Sequence, residues 1–303
     1  MSVTQLSGSN RVEKNGTAVF LKVKKHTPDA VSYILLIIYA IASVYPFLWM
    51  VSSAFKSNQE VLTSKSLIPN EIRFDIIVNT WNTLNFWQYF INSMIVTVAV
   101  VVLVVLVYSL AGYGFAKVPF WGRDFLFAGF LAVMLVPGVT VLIPLVQLLK
   151  ALGLLSAHKD QIIAYTGLIL PMVNGAGPFA IFLFRNYFSK LPDELRDAAK
   201  IDGASEFGIY MRIFLPLAGP AIATVSILNF VSAWNAFIWP SIVINNSDWF
   251  TLPLKLKDID LQQVIQWNVR MAGSLIATIP LIIVFLILQR YYIRGITAGA
   301  TKG

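Results

Sequence analysis

The sequence predicts an all-α membrane protein with six transmembrane helices. Of its 303 residues, 57% are hydrophobic and 13% are charged, against roughly 25% charged in soluble domains. Six apolar segments are long enough to cross a hydrocarbon core of about 30 Å. These segments are residues 31–54, 91–112, 125–149, 162–184, 215–244 and 271–289, and none contains Asp, Glu, Lys, Arg or His.

Both chain ends are expected in the cytoplasm. An even number of spans places the ends on one side, and the positive-inside rule assigns that side to the loops richer in Lys and Arg. The N-terminal side holds 15 such residues and the opposite side holds 8. We therefore expect a cytoplasmic segment over residues 1–30, a membrane domain over residues 31–293 and a cytoplasmic tail over residues 294–303. A cleaved signal peptide is not expected, because the first 30 residues are polar and basic.

Proline and glycine fall inside several spans and predict breaks in their backbone hydrogen bonding. The residues concerned are Pro137, Gly138 and Pro144 in the third span, Pro171, Gly175, Gly177 and Pro178 in the fourth, and Pro216 and Pro220 at the start of the fifth. Such breaks occur in both moving and static helix bundles, so they do not by themselves indicate gating.

The connection between the fourth and fifth spans, residues 191–216, is a charged island between apolar runs. Pro192 suits the first turn of a helix, and the carboxylates that follow it suit the positive end of the helix dipole. Gly203 can take a left-handed conformation, and Ser205 can cap a second helix. Each helix is shorter than the roughly 12 residues that persist alone in water. We therefore expect another protein to hold this connection.

Fixed residues at fixed spacings in this island resemble the EAA loop of bacterial ABC importer permeases. That loop reads Glu-Ala-Ala, then Gly, a nine-residue gap, and Ile-x-Leu-Pro. The matching positions here are Asp197, Ala198, Ala199, Asp202, Gly203, Ala204, Ile213, Leu215 and Pro216. Asp197 departs from the usual Glu but keeps its charge.

The resemblance implies a type I ABC importer permease fold in the bacterial inner membrane, with several passes through it. It implies that the EAA loop docks into a cleft on a cytoplasmic ATPase subunit. It further implies a second related permease, two ATPase subunits and an extracellular or periplasmic solute-binding protein. ATP and magnesium would be bound by the ATPase, so no cofactor, metal ligand or catalytic residue is expected in this chain.

The fifth span carries a polar and aromatic face. Within one helix, at about 100° per residue, its members fall in an arc of about 120°; they are Asn229, Ser232, Asn235 and Trp239. Amides can bond sugar hydroxyls, and an indole can contact the C–H face of a sugar ring. The face therefore favours a substrate pathway for a neutral polyol. The competing interpretation is that the polar groups bond a neighbouring helix and Trp239 lies at the lipid interface.

Further segments resemble the smaller permease of maltose-type sugar importers. They are residues 45–50 (YPFLWM) with Ser53 and Lys56, the pair Asn92 and Ser93, residues 111–116 (AGYGFA), residues 234–240 (WNAFIWP) and the tail 292–303 (YIRGITAGATKG). This resemblance implies an oligosaccharide substrate. It also implies that residues 245–270 contact the solute-binding protein and that the tail reaches between the ATPase subunits. A surface connector and a frayed terminus remain the alternatives for these two segments.

Other functions are less well supported by the residues. Spans without ionisable groups disfavour a proton-driven pump, and the absence of G-x-x-x-x-G-K-[ST] means that this chain does not bind ATP through that motif. The net charge of +8 is explained by membrane flanks rather than by nucleic acid. An amino-acid or phosphonate permease, an ion-coupled secondary transporter and a structural scaffold remain the alternatives.

Overall fold

The computed structural model describes residues 17–83, 85–155, 160–258 and 266–300, and the regular elements within these ranges are all helical. The helices are α1 (Thr17–Ser53), α2 (Asn58–Thr63), α3 (Asp75–Thr83), α4 (Phe86–Lys117), α5 (Arg123–Val133), α6 (Leu142–Ala151), α7 (Gln161–Phe188), α8 (Glu194–Ile201), α9 (Glu206–Ile209), α10 (Leu215–Leu217), α11 (Gly219–Trp234), α12 (Ile238–Val243), α13 (Leu252–Asp258) and α14 (Trp267–Ala300). The all-α prediction is confirmed.

Four helices are long and apolar enough to cross a membrane unbroken: Ala30–Ser53 of α1, all of α4 and α7, and Trp267–Gln289 of α14. Two pairs of consecutive helices, each bent at a short break, are also long and apolar enough to cross when each pair is taken together. They are 123–133 with 138–151 and 206–217 with 219–234. Counting each bent pair as one span gives the six predicted spans. Much of α1 is apolar and exposed, as expected for a surface whose solvent is lipid.

The helices at the two chain ends, α1 and α14, extend beyond the apolar segments into the expected terminal segments. Within the expected N-terminal segment, residues 17–30 continue α1 as one helix, while residues 1–16 lie outside the described part. At the other end, α14 continues as far as Ala300, through most of the expected tail. The spans therefore project beyond the apolar segments that define them in the sequence.

The third segment is broken where proline predicts it. After α5 the chain turns at residues 134–137, and Gly138–Val141 forms a single 3-10 turn before α6. The two halves are bent by 93°. Pro137 has no N–H to continue a helix, and Pro144 lies in the first turn of α6, where none is needed.

The fourth segment stays one helix, in which two prolines each remove a backbone hydrogen bond, as predicted, without ending the helix. Helix α7 runs through both Pro171 and Pro178. Gly177 allows close packing, because a Cβ added there would lie 2.6 Å from the ring of Tyr108 on α4. Helices α4 and α7 therefore approach closely and form the centre of the bundle, with a core at their C-terminal ends that includes Tyr113, Phe184, Phe188 and Phe214.

The fifth segment is not one helix. The helical run that leads into it begins as α9 and passes through a π-helical turn over Tyr210–Phe214. This run enters the segment as α10 and bends by 77° into α11. Helix α11 ends at Trp234, and a separate α12 begins at Ile238. Pro240 explains the second break, because it cannot donate to the carbonyl of Ala236 and is tolerated in the first turn of a new helix.

Candidate functional site: the connection over residues 191–216

The connection forms a helix, a glycine turn and a second helix, as predicted. Helix α8 begins at Glu194, two residues after Pro192, and ends before a turn in which Gly203 has φ 79°. That left-handed conformation favours glycine. The Ser205 hydroxyl accepts a hydrogen bond from the Gly208 N–H at 3.2 Å, which caps α9.

Most of the EAA-like residues lie on the surface of this connection. Asp197, Ala198 and the Asp202–Gly203–Ala204 turn are exposed, as is Pro216, whereas Ile213 and Leu215 are half-buried and Ala199 is buried against the bundle core. Two large apolar side chains beside the turn are also exposed, Ile201 at 86% and Phe207 at 60%. An exposed apolar surface with a charged rim is typical of a protein contact.

A carboxylate holds the two short helices together across the turn. The Glu206 carboxylate pairs with Arg196 at 2.5 Å and with Lys200 at 2.7 Å, both from α8. The Tyr113 hydroxyl, on α4, donates to the same carboxylate at 3.0 Å. Because each helix is too short to be stable alone, these bonds define the geometry of the connection.

A second contact holds the start of the connection. Lys117, in the last turn of α4, donates to the Leu191 carbonyl at 2.6 Å and to the Asp193 carboxylate at 2.5 Å. Its side chain is 2% exposed. The hydrogen bond from Lys117 lowers the pKa of the Asp193 carboxyl, which therefore stays ionised at neutral pH.

Sequence reasoning did not single out Tyr113, Lys117 or Glu206 as site residues. Tyr113 falls within the AGYGFA segment, which pointed to a family likeness but not to a contact. Glu206 is 93 residues away from Tyr113 in the chain, and no local pattern predicts such a pair.

The proposed substrate face is only partly assembled. Asn229 and Ser232 line a cavity of about 310 Å³ between α4, α7 and α11. Trp239 is not on the same helix, because the span breaks before it, and its indole N–H donates to the Leu168 carbonyl of α7 at 3.2 Å. Asn235 is exposed at the end of α11, where its amide bonds the Val231 carbonyl. The predicted single arc is therefore wrong for Trp239.

The connection between the fifth and sixth spans is bonded to the N-terminal part of α4. The Asn92 amide donates to the carbonyls of Asp248 and Phe250, at 2.8 and 3.0 Å. The Ser93 hydroxyl accepts from the Leu252 N–H at 2.7 Å. Residues 259–265 of this connection lie outside the described part.

A bundle of apolar spans, with a surface helix-turn-helix connection and a cavity between spans that Asn229 and Ser232 help to line, is typical of multi-pass transport permeases. Within that class, the chain belongs to the family described as binding-protein-dependent transport system inner membrane component, which matches residues 109–298. The predicted family and the multi-pass inner-membrane location are confirmed.

Similar proteins are permeases of sugar systems. The chain is 34% identical to the arabinooligosaccharides transport system permease protein AraQ of Halalkalibacterium halodurans, over 93% of this chain and 100% of that protein. It is 32% identical to the diacetylchitobiose uptake system permease protein NgcG of Streptomyces coelicolor, over 90% and 89% of the two chains.

The fold matches a solved structure along most of its length. That structure is a bacterial ABC transporter involved in the import of the acidic polysaccharide alginate. The TM-score is 0.75 at 24% sequence identity, and the match covers 93% of this chain and 100% of the other. The predicted ABC importer permease fold is confirmed.

Proposed function

We propose that this chain is the membrane-spanning permease subunit of an ATP-driven oligosaccharide importer. It forms half of the translocation pathway, and a second related permease forms the other half. Two cytoplasmic ATPase subunits supply the energy and bind the ATP and magnesium, while a solute-binding protein delivers the sugar. The sugar systems of AraQ and NgcG support this substrate class over amino acids or phosphonates.

The observation that carries this proposal is the exposed turn at Gly203. Asp197, Ala198 and the turn residues face away from the bundle, beside exposed Ile201 and Phe207. Bonds from α4 fix this surface in place although its two helices are short. It is therefore suited to transmit the closing motion of an ATPase to the spans.

The sugar pathway is proposed to pass the cavity lined by Asn229 and Ser232. Their polar groups lie in a cavity whose other lining residues are apolar or glycine, and amide and hydroxyl groups can exchange hydrogen bonds with sugar hydroxyls. Asn235 is exposed at the end of the same helix and can extend this lining. Trp239 is left out of it, since its indole N–H is bonded to α7.

The proposal is tested by Gly203→Asp, with Gly203→Asn as its matched control. No atom of the chain lies within 4 Å of a Cβ built at this position, and Asp and Asn both tolerate left-handed conformations. The chain should therefore insert and fold in both variants. We expect Gly203→Asp to lose sugar uptake and copurification of the ATPase, because it adds a charge to the docking surface.

Uptake is measured in proteoliposomes that contain the second permease, the ATPase and the binding protein. Normal uptake by Gly203→Asp would contradict docking at this turn. Ion-gradient-driven uptake by this chain alone would instead support the alternative of a secondary transporter.

A further inference from the structure

Helix α4 is bonded to both of the connections that partner proteins are proposed to contact. It is one unbroken helix of 32 residues. Its C-terminal turns bond the connection over residues 191–216, and its N-terminal turns bond the connection that follows α12. Neither connection is adjacent to α4 in the sequence, so these bonds are tertiary contacts.

The C-terminal bonds involve three turns of α4. The Tyr113 hydroxyl bonds Glu206, and Lys117 bonds Leu191 and Asp193. One turn before Tyr113, the Ser109 hydroxyl lies 2.7 Å from the Tyr210 hydroxyl. Ser109 donates its own proton to the Val105 carbonyl, so Tyr210 is the donor to Ser109.

Packing supports these bonds. The Tyr113 ring contacts the rings of Phe188, Tyr210 and Phe214, with centroids 5.1 to 6.0 Å apart. Tyr113, Phe188, Tyr210 and Phe214 are all buried. Because packed aromatic clusters adopt discrete arrangements rather than deforming continuously, this packing is suited to carry movement of the connection to α4.

The N-terminal bonds are equally specific. Asn92 and Ser93 are buried, and each bonds a backbone group of residues 248–252. The exposed Gln88 amide donates to the Asp248 carbonyl at 2.8 Å. This end of α4 therefore positions the segment expected to meet the solute-binding protein.

We propose that α4 is the strut that couples the ATPase-facing connection to the binding-protein-facing connection. Tyr113 and Lys117 are positioning residues at one end of this strut, and Asn92 and Ser93 are positioning residues at the other. This inference rests on the proposed function, since it needs an ATPase and a binding protein at the two ends. It predicts that a binding protein that displaces residues 248–252 alters ATP hydrolysis through α4.

The first test is Tyr113→Phe, with Tyr108→Phe as the matched control. Both positions lie on α4, and both changes remove one hydroxyl and keep the ring. The Tyr108 side chain lies against α7 at Gly177 rather than against the connection. ATP hydrolysis by the complete reconstituted transporter is measured with and without sugar-loaded binding protein.

We expect Tyr113→Phe to retain the copurified ATPase and to lower the stimulation by binding protein roughly five- to tenfold, the lower range of allosteric coupling factors. Tyr108→Phe should keep the stimulation of the unchanged chain. Unchanged stimulation in Tyr113→Phe, or an equal loss in Tyr108→Phe, would overturn the inference. If binding protein does not stimulate ATP hydrolysis by the transporter with the unchanged chain, the proposed function itself is contradicted, and not only the role of α4.

A double-mutant cycle tests the strut itself. Asn92→Leu removes two of the N-terminal bonds, and Tyr113→Phe removes one at the C-terminal end. If both substitutions interrupt the same coupling through α4, the second adds little to the first. The double variant should then lose little more stimulation than the more affected single variant. Independent effects that multiply would show two separate paths and would contradict a single strut.

A distance measurement tests the contact between α4 and the connection without relying on transport or ATPase activity. The chain contains no cysteine, so spin labels can be placed at Leu110→Cys on α4 and Leu195→Cys on α8, both exposed positions. With Tyr113 in place, the distribution of distances between the labels should be the same with and without ATP. In Tyr113→Phe this distribution should become broader. An ATP-dependent change in the unchanged chain would show that α4 and the connection move separately.

Discussion

Two glycines of this chain are constrained for opposite reasons. Gly203 has ample space but a left-handed backbone at φ 79°. At Gly112 the constraint is space, because an added Cβ would lie 2.4 Å from the Cβ of Phe184. Sequence alone identified Gly203, which follows a short helix at a recognisable turn. It could not identify the role of Gly112, because the residue that fills the space belongs to another helix.

Replacing Gly112 should destabilise the bundle. Gly112→Ala must push α4 and α7 apart, and overpacking of this kind costs about 1–3 kcal/mol. Gly114→Ala is the control on the same helix, because no atom lies within 4 Å of the Cβ it adds. Thermal unfolding in detergent should show a lower midpoint for Gly112→Ala only. Equal midpoints would contradict the close approach of the two helices.

A buried lysine should stabilise the segment after α1. The Lys56 side chain is fully buried, donates to the Ser66 carbonyl and lies 4.9 Å from the centroid of the Trp49 ring. Lys56→Met removes this hydrogen bond from a charged group, and such a bond contributes about 1.5–3 kcal/mol. Lys65→Met, at a neighbouring exposed position, should change the unfolding midpoint little. A similar loss in both variants would contradict this role.

At the scale of elements, proline predicts a break only where the surrounding structure permits one. The break near Pro137 separates two helices bent by 93°, and the break before Pro240 separates α11 from α12. Pro171 and Pro178 stay inside α7, which packs along α4. A proline removes one hydrogen bond in either case, and the contacts of the whole helix decide whether it bends. Those contacts are not visible in the sequence.

The connection between the fifth and sixth spans is anchored by hydrogen bonds to α4. Asn92→Leu removes two hydrogen bonds to residues 248 and 250, whereas Gln88→Ala removes one bond at an exposed position. We expect residues 245–258 to become more sensitive to protease added outside the cell in Asn92→Leu, and less so in Gln88→Ala. Cleavage rates in intact cells measure this. Equal resistance in Asn92→Leu and the unchanged chain would contradict the assigned anchoring.

For the whole molecule, composition and hydropathy were sufficient to predict a helical membrane protein, and the EAA-like loop was sufficient to predict its family. Local features, such as the Ser205 cap and the Gly203 turn, were also predicted from the sequence. The bonds of Tyr113, Lys117 and Asn92 were not, because they join residues between 74 and 158 positions apart. The sides of the membrane on which the connections lie remain a prediction from charge.

That topology is testable with single cysteines in this cysteine-free chain. Asp202→Cys lies in the proposed docking turn, and Ile68→Cys lies between α2 and α3, where the side chain is exposed. A membrane-impermeant maleimide should label only Ile68→Cys in intact cells and only Asp202→Cys in inverted vesicles. Labelling of Asp202→Cys from outside would remove the turn from reach of any cytoplasmic ATPase.

The contact at Gly112 also limits how this sequence can change. The atom that opposes an added methyl group is the Cβ of Phe184 rather than its ring, and every amino acid except glycine carries that atom. Shortening the side chain at 184 therefore makes no room, and Phe184→Ala should fail to rescue Gly112→Ala. A larger residue at 112 can be accommodated only by glycine at 184 or by a wider separation of the two helices, so these positions are expected to vary together.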